Sequence, residues 1–135
     1  MAQLGIVITP GSDPFSTLAD LSREAEDTGF NSIFVSEASN DALMCCAHMA
    51  RVTSRVKLVT WIVNIHFRVP LTCAAASLMV QEISGGRFIL GLGVSHRPLL
   101  ESLGIEMGNG REKLRSYTTE LRRLLRGEAV ASGLP

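Results

Sequence analysis

Residues 84–96 read Ser-Gly-Gly-Arg-Phe-Ile-Leu-Gly-Leu-Gly-Val-Ser-His, a glycine pair followed by an apolar run with two more glycines. A glycine pair is typical of a helix end. The apolar run from Arg87 to Leu92 predicts a buried strand. Glycine is uncommon inside strands unless a ligand or another backbone comes close. The segment therefore predicts a core strand that carries Ser95 and His96 to the rim of a pocket.

Three earlier segments repeat this strand character. Each is a short apolar run rich in β-branched residues, as in a buried parallel strand: Leu4–Thr9, Ser32–Ser36 and Val56–Val63. An amphipathic helical pattern follows each of the four strands, and the helices are predicted to begin near Pro14, Asp41, Pro70 and Arg111. Asp13 is predicted to cap the first helix and Gly29 to end it.

The four β-α repeats indicate parallel strands joined by right-handed crossovers. No change in composition marks a boundary, so we expect residues 1–135 to form one α/β domain. The tail at 127–135 is small and polar, and we expect it to be loose.

Composition gives no reason to expect several classes of partner. The 13 basic and 13 acidic residues cancel, which gives no electrostatic reason to expect nucleic acid or an acidic membrane surface. No signal peptide and no membrane-spanning run is evident, so we expect a cytoplasmic protein. Cys45, Cys46 and Cys73 lack zinc-site spacing, which predicts buried thiols and no metal.

Two familiar motifs fail at the fourth strand. The segment from Gly91 to His96 only partly matches a dinucleotide fingerprint, because His96 replaces the third glycine and Pro98 follows. Neighbours on an extended chain point to opposite sides, which argues against Ser95 and His96 as a nucleophile and its base.

Polar and aromatic residues gather where the strands are predicted to end. Glu37 is either a pocket carboxylate or a charge favoured by the helix dipole. Trp61 is either core packing or a wall for a flat ring. His66 is a weaker candidate in a loop, and His48 lies mid-helix, where it is expected to be structural or exposed. Because ligand sites collect at the carboxyl ends of parallel strands, we expect these ends to form one face.

Three segments resemble the N-terminal half of the bacterial luciferase-like flavin- or deazaflavin-dependent oxidoreductases. They are Phe34-Val-Ser-Glu37-Ala38, Val56-Lys-Leu-Val-Thr60-Trp-Ile-Val-Asn64 and residues 84–96. The resemblance implies a (βα)4 half of a TIM (β/α)8 barrel, with parallel strands and outer helices. It also implies FMN or a deazaflavin at the C-terminal ends of the strands.

The same resemblance implies roles for individual residues. A cis non-prolyl bond and a bulge are expected at Trp61, Ile62 or Val63, with Thr60 and Asn64 beside the cofactor ring. Gly93, Ser95 and His96 are expected to line the other side of the pocket. Glu37 and His96 are the expected catalytic residues, for proton handling or substrate contact.

The chain also departs from the family pattern. Ala38 stands where many members have a histidine, Trp61 stands where glycine is usual, and four strands are half of a barrel. The resemblance thus implies a monooxygenase or dehydrogenase of a small molecule, or a subunit of one. A homodimer or a separate C-terminal half-barrel would complete it. The alternative is a cofactor-free half-barrel that acts as a structural or binding dimer.

Overall fold

The computed structural model describes residues 2–128, so most of the tail predicted to be loose lies outside the described residues. The strands are β1 Gly5–Ile8, β2 Ser32–Val35, β3 Lys57–Thr60, β4 Val63–Asn64, β5 Phe88–Ile89 and β6 Leu92–Gly93. The helices are α1 Phe15–Asp27, α2 Ala42–Val52, α3 Pro70–Ile83, α4 Arg97–Ser102 and α5 Gly110–Leu125.

The main sheet is parallel, as the β-α alternation predicts. Its strand order is β1-β2-β3-β5, which leaves β1 and β5 at the two edges. In register, Ile6 pairs with Ile33 and Ile33 pairs with Leu58. Strands β4 and β6 form a second, two-stranded sheet.

Among the described residues the chain divides into two compact units. The first comprises residues 2–63 and 79–92, and holds the four-stranded sheet with α1 and α2. The second comprises residues 64–78 and 93–128, and holds α4 and α5. The single domain expected from the sequence stays a prediction.

The core of the first unit lies between the sheet and α2. Helix α2 packs on β2 and β3, and α1 packs on α2. The strand side chains of this core alternate along the chain, as a face covered by helices requires. Those with no exposed surface are Ile33, Val35, Leu58 and Thr60. The thiols of Cys45 and Cys46 are also buried, as predicted, and burial raises the pKa of Cys45 to about 11.

The third and fourth strands predicted from the sequence are longer than the strands observed. The run Val56–Val63 is interrupted after Thr60, and a cis peptide bond joins the next two residues, Trp61 and Ile62. The run Arg87–Leu92 is interrupted after Ile89, where Gly91 turns against the end of β3. Each predicted strand is therefore two short strands that belong to different sheets.

Two predictions about the first helix have opposite outcomes. Pro14, not Asp13, occupies the N-cap position, and no side chain caps this end. The predicted cap was wrong because Pro14 precedes the first helical residue instead of being it. Gly29 follows the C-cap with a φ of +93°, which confirms it as the helix end.

Helix α4 was not predicted from the sequence. It begins at Arg97 and has Pro98 in its first turn. Proline is favoured at the first helical positions because its missing N–H has no partner there in any case. The sequence pattern at Pro98 was interpreted as a turn, although it equally suits a helix start.

Glu26 fixes the loop that leads into β3. Its carboxylate accepts hydrogen bonds from the backbone N–H groups of Ser54, Arg55 and Val56 at 2.6–3.0 Å. Partial burial alone would raise the pKa of Glu26. The backbone donors outweigh that effect and lower the pKa from its ordinary 4.5 to about 2.

We expect the stability of the chain to depend on pH through Glu26. A depressed folded-state pKa contributes stability above pH 4.5, and this is lost as the pH falls towards 2. Glu26→Gln should lower the free energy of unfolding at pH 7 by about 1–2 kcal/mol and flatten its slope in that window. Urea unfolding at several pH values measures both. Glu24→Gln, exposed on the same helix, is the control, and an unchanged slope in E26Q would contradict this role.

Candidate functional site

The end of β3 is joined to the segment after β5 by a contact between the Thr60 hydroxyl and the backbone of Gly91, which we call the Thr60–Gly91 lock. Thr60 Oγ1 accepts a hydrogen bond from Gly91 N at 2.8 Å and donates one to Gly91 O at 2.9 Å. A Cβ on Gly91 would overlap the carbonyl oxygen of Thr60. A glycine within a strand can indicate the close approach of a ligand or of another backbone. At Gly91 the group that approaches is the backbone of Thr60.

Trp61 extends from this lock into solvent. Its side chain is 60% exposed, so the core-packing interpretation was wrong. The indole meets Phe34 edge-to-face, with ring centroids 5.9 Å apart and an interplanar angle of 89°. Its backbone N–H donates to Val35 O at 2.6 Å. The cis bond to Ile62 lies where the resemblance implies it.

Glu37 lies just beyond β2, at the start of α2. Its Oε1 lies 3.3 Å from the backbone nitrogen of Ala42, the first residue of that helix. Asp41 caps the same helix by accepting hydrogen bonds from the backbone nitrogens of Leu43 and Met44. This position fits the interpretation of Glu37 as a charge favoured by the helix N-terminus. Its catalytic role stays a prediction.

In the second unit, Asn64 orders the turn after β4. Its side chain is buried, and its Oδ1 accepts a hydrogen bond from His66 N at 3.0 Å. The backbone N–H of Phe67 donates to Asn64 O. Burial, aided by the ammonium of Lys113, lowers the pKa of His66 below its ordinary value of 6.5. Both effects favour the neutral form of the His66 imidazole.

The remaining predicted residues follow β6. Gly93 O accepts a hydrogen bond from Ile65 N at 3.1 Å. Ser95 has a φ of +63°, which is uncommon outside glycine and redirects the chain before α4. His96 is exposed and occupies the N-cap position of α4, where its side chain makes no capping hydrogen bond.

The residues expected beside the ring differ in exposure. Thr60, Val63 and Asn64 are almost wholly buried, main chain included, so they present almost no surface to a cofactor. Trp61 is exposed and Ile62 half-buried. Glu37 belongs to the first unit and His96 to the second, and their joint action stays a prediction.

The described residues limit two kinds of site. Between residues 2 and 128, no His, Cys, Asp and Glu side chains cluster in a way that could hold a metal ion. Over the same residues, no helix combines the length and the apolar character that crossing a membrane requires.

Comparison with known proteins assigns the chain to a family. Residues 2–133 match the sequence profile of the luciferase-like monooxygenases. The chain belongs to the luciferase-like monooxygenase family. Its parallel α/β fold is a (βα)4 half of the barrel found in this family, as the sequence predicts.

Individual relatives give the extent of the similarity. A Mycobacterium tuberculosis protein named as a coenzyme F420-dependent oxidoreductase is 41% identical over 92 residues, 67% of this chain and 26% of that protein. The monooxygenase RslO1 from Streptomyces bottropensis is 28% identical with a TM-score of 0.82, covering 91% of this chain and 43% of that one.

A third relative shows the fold alone. The oxygenating constituent of 3,6-diketocamphane monooxygenase from Pseudomonas putida, solved in complex with FMN, is 18% identical with a TM-score of 0.83. The match covers 98% of this chain and 42% of that one. This luciferase-like chain thus spans less than half the length of each of the three proteins.

Sequence reasoning missed two residues that shape the site. Phe34 packs edge-to-face against Trp61. Gly91 lacks a Cβ and so leaves room for the carbonyl oxygen of Thr60. The glycine was visible as an unusual strand residue, but its partner was not. Phe34 gave no separate signal, because it reads as one apolar residue of a strand.

Proposed function

We propose that this luciferase-like chain is an oxidoreductase, or a subunit of one, that binds a flavin or deazaflavin ring beside β3. The supporting observation is Trp61, a largely exposed indole held edge-on by Phe34 at a strand end. A braced indole offers a flat apolar surface for a flat ring. Of the two interpretations of Trp61, the wall for a flat ring agrees with its exposure and core packing does not.

The cofactor is proposed from the relatives. The 41% identical relative is named as dependent on coenzyme F420, which favours a deazaflavin. The Pseudomonas putida structure contains FMN, which is the second candidate. Such a group supplies hydride or oxygen chemistry when it is bound.

The chain's own residues would position that group. The Thr60–Gly91 lock holds the backbone from which Trp61 and Ile62 project. Gly93 and Ser95 are proposed to contribute to cofactor binding as well. His96, exposed at the start of α4, is proposed to exchange protons with substrate or solvent.

Glu37 supports the alternative function as well. Its carboxylate lies against the N-terminus of α2, and Ala38 provides no proton-transfer group beside it. A half-barrel without a cofactor, acting as a structural or binding dimer, would keep this contact. In that case Trp61 would contact a protein partner instead of a ring.

Direct binding separates the two functions. We expect the purified chain to bind coenzyme F420 or FMN at tens of micromolar or below in equilibrium dialysis, with a shifted visible spectrum. Trp61→Ala should weaken binding about tenfold, while Met44→Ala, exposed on α2, should not change it. Absence of both binding and colour at tens of micromolar would overturn the cofactor role of the isolated chain.

The extent of the match to the relatives supports a further proposal. The chain aligns with less than half of each relative, and a complete barrel has eight strands. We propose that a second half-barrel completes the pocket, supplied by another copy of this chain or by a separate C-terminal half.

A further inference from the structure

A pocket of about 480 Å³ lies in the second unit, between the loop after β4 and helix α5. We call it the Lys113 pocket. The residues that line it are Ile65, His66, Pro70, Lys113, Ser116, Tyr117 and Glu120. All of them belong to the second unit, so this chain supplies both walls of the pocket. None of them is among the residues proposed above to hold the cofactor.

Helix α5 provides one wall of the Lys113 pocket through its spacing. Lys113, Tyr117 and Glu120 are three or four residues apart, and Ser116 precedes Tyr117, so the four share one face of the helix. Tyr117 is buried, whereas Lys113 and Ser116 are exposed. The buried Tyr117 therefore forms part of the floor, and the polar ends of Lys113 and Ser116 lie at the rim.

The opposite wall contains a buried polar atom without a partner. Nε2 of His66 is buried and has no hydrogen-bond partner among residues 2–128. Buried polar groups in folded proteins are nearly always hydrogen-bonded, by the chain itself, by water or by a ligand. This atom therefore indicates a partner from outside the chain.

Lys113 adds a positive charge that no carboxylate balances. Its Nζ donates to the carbonyl oxygen of Glu106 at 2.9 Å, and it makes no ion pair within the described part of the chain. Glu120, the one carboxylate in the pocket lining, binds Arg123 at 3.2 Å. The ammonium of Lys113 adds to burial in lowering the pKa of His66, so its charge acts across the pocket. This electrostatic environment favours an anion.

We infer that the Lys113 pocket binds a small organic carboxylate between Lys113 and His66. The carboxylate accepts hydrogen bonds from the ammonium of Lys113 and from the hydroxyl of Ser116. Because Nε2 of His66 has no exposed surface, the imidazole rotates about its last side-chain torsion to reach the ligand. The bound carboxylate then supplies the partner that this nitrogen lacks.

The lining favours a carboxylate over a phosphate. One ammonium balances a single negative charge, and the second charge of a phosphate would meet the carboxylate of Glu120. Ile65, Pro70 and the ring of Tyr117 provide apolar surface for the organic part of the ligand. Small-molecule sites commonly combine such apolar walls with a few polar groups that fix the orientation.

Benzoate and benzamide are matched probes, since they share a flat apolar body and only benzoate is charged. We expect benzoate to bind the 135-residue chain about tenfold more tightly than benzamide at pH 7. The imidazole proton signals in NMR spectra report the binding, because the chain has three histidines. The signal of His66, assigned with H66Q, should move during the titration. Equal affinity of the two probes, or a shift of His48 or His96 in place of His66, would overturn the inference.

A pair of charge variants tests the role of Lys113. Lys113→Gln removes the charge but keeps a donor for the carbonyl oxygen of Glu106, and it should weaken benzoate binding about tenfold. Arg115→Gln removes one positive charge from an exposed position of the same helix outside the pocket, and it should leave the affinity unchanged. Circular dichroism checks that both variants are folded. Equal losses in the two variants would show a general charge effect and would overturn the site.

The pH dependence of binding tests the role of His66. A bound carboxylate favours the imidazolium, so benzoate should bind more tightly at pH 6 than at pH 8, while His66→Gln should bind it equally at both. The other titratable groups in the lining, Lys113, Tyr117 and Glu120, are of types that ordinarily titrate outside this range, as is benzoate. An affinity of the unaltered chain that does not change with pH would overturn the contact with His66. No cofactor takes part, so these results and those on the proposed cofactor stand or fall separately.

Discussion

Replacing Gly91 with alanine is expected to lower the free energy of unfolding by about 3 kcal/mol. The added Cβ would overlap the carbonyl oxygen of Thr60, which is backbone and cannot rotate away. The two hydrogen bonds between Gly91 and the Thr60 hydroxyl would be lost as the segments separate. Trp61 directly follows Thr60, so we also expect G91A to weaken cofactor binding.

Gly11 provides the matched control. An added Cβ there meets nothing within 4 Å, and its backbone is not in the left-handed region. Gly11→Ala should therefore leave stability unchanged or raise it slightly by restricting the unfolded chain. Urea unfolding of both variants measures the difference, and equal stability of G91A and G11A would contradict the lock.

Arg87→Ala is expected to have a similar effect, about 3 kcal/mol, for a different reason. The guanidinium donates to the carbonyl oxygens of Ser84, Val56, Ala50 and Thr53 and to the Thr53 hydroxyl, at 2.8–3.2 Å. It thereby joins the turn after α3 to the end of α2 and the start of β3. Without it, several carbonyl groups lose their partner and the positive charge that favours a helix C-terminus.

Two further substitutions serve as comparisons for Arg87→Ala. Arg87→Lys keeps the charge but not the planar fork, so it should recover only part of the lost stability. Arg51→Ala removes an exposed arginine from the last turn of α2 and should cost less than about 1 kcal/mol. Thermal or urea unfolding compares the three variants. A loss in R87A no larger than that in R51A would contradict the role given to Arg87.

The parts of the fold that follow from local pattern were predictable. Strand β2 is a run of β-branched and aromatic residues, and α2 begins at Asp41, whose carboxylate accepts from two helix N–H groups. These signals act over a few residues, so they do not depend on the rest of the chain. The parallel order of the strands followed from their alternation with helices.

The breaks in the strands depend on distant partners and were not predictable from pattern. Trp61-Ile-Val63 reads as the continuation of a strand, yet β3 ends at Thr60. The cause lies at Gly91, 31 residues away in sequence. The family resemblance, not the local pattern, indicated an irregular backbone at Trp61.

In the candidate site, too, features set by local pattern were predictable and features set by distant packing were not. The pattern placed polar residues at strand ends, but it could not say which side chains are exposed. Trp61 is exposed, whereas Thr60 and Asn64 are buried, with Thr60 Oγ1 and Asn64 Oδ1 hydrogen-bonded. Exposure is set by the packing of neighbouring strands, so it became known only with the fold.

The fluorescence of Trp61 tests the central claim most directly. It is the only tryptophan in the sequence, so its emission reports on the end of β3 alone. The chain is titrated with coenzyme F420 and with FMN, and free N-acetyltryptophanamide corrects for absorption by the cofactor. The account predicts saturable quenching with the same midpoint as dialysis. Unchanged emission of Trp61 at saturating cofactor would contradict a ring bound against it.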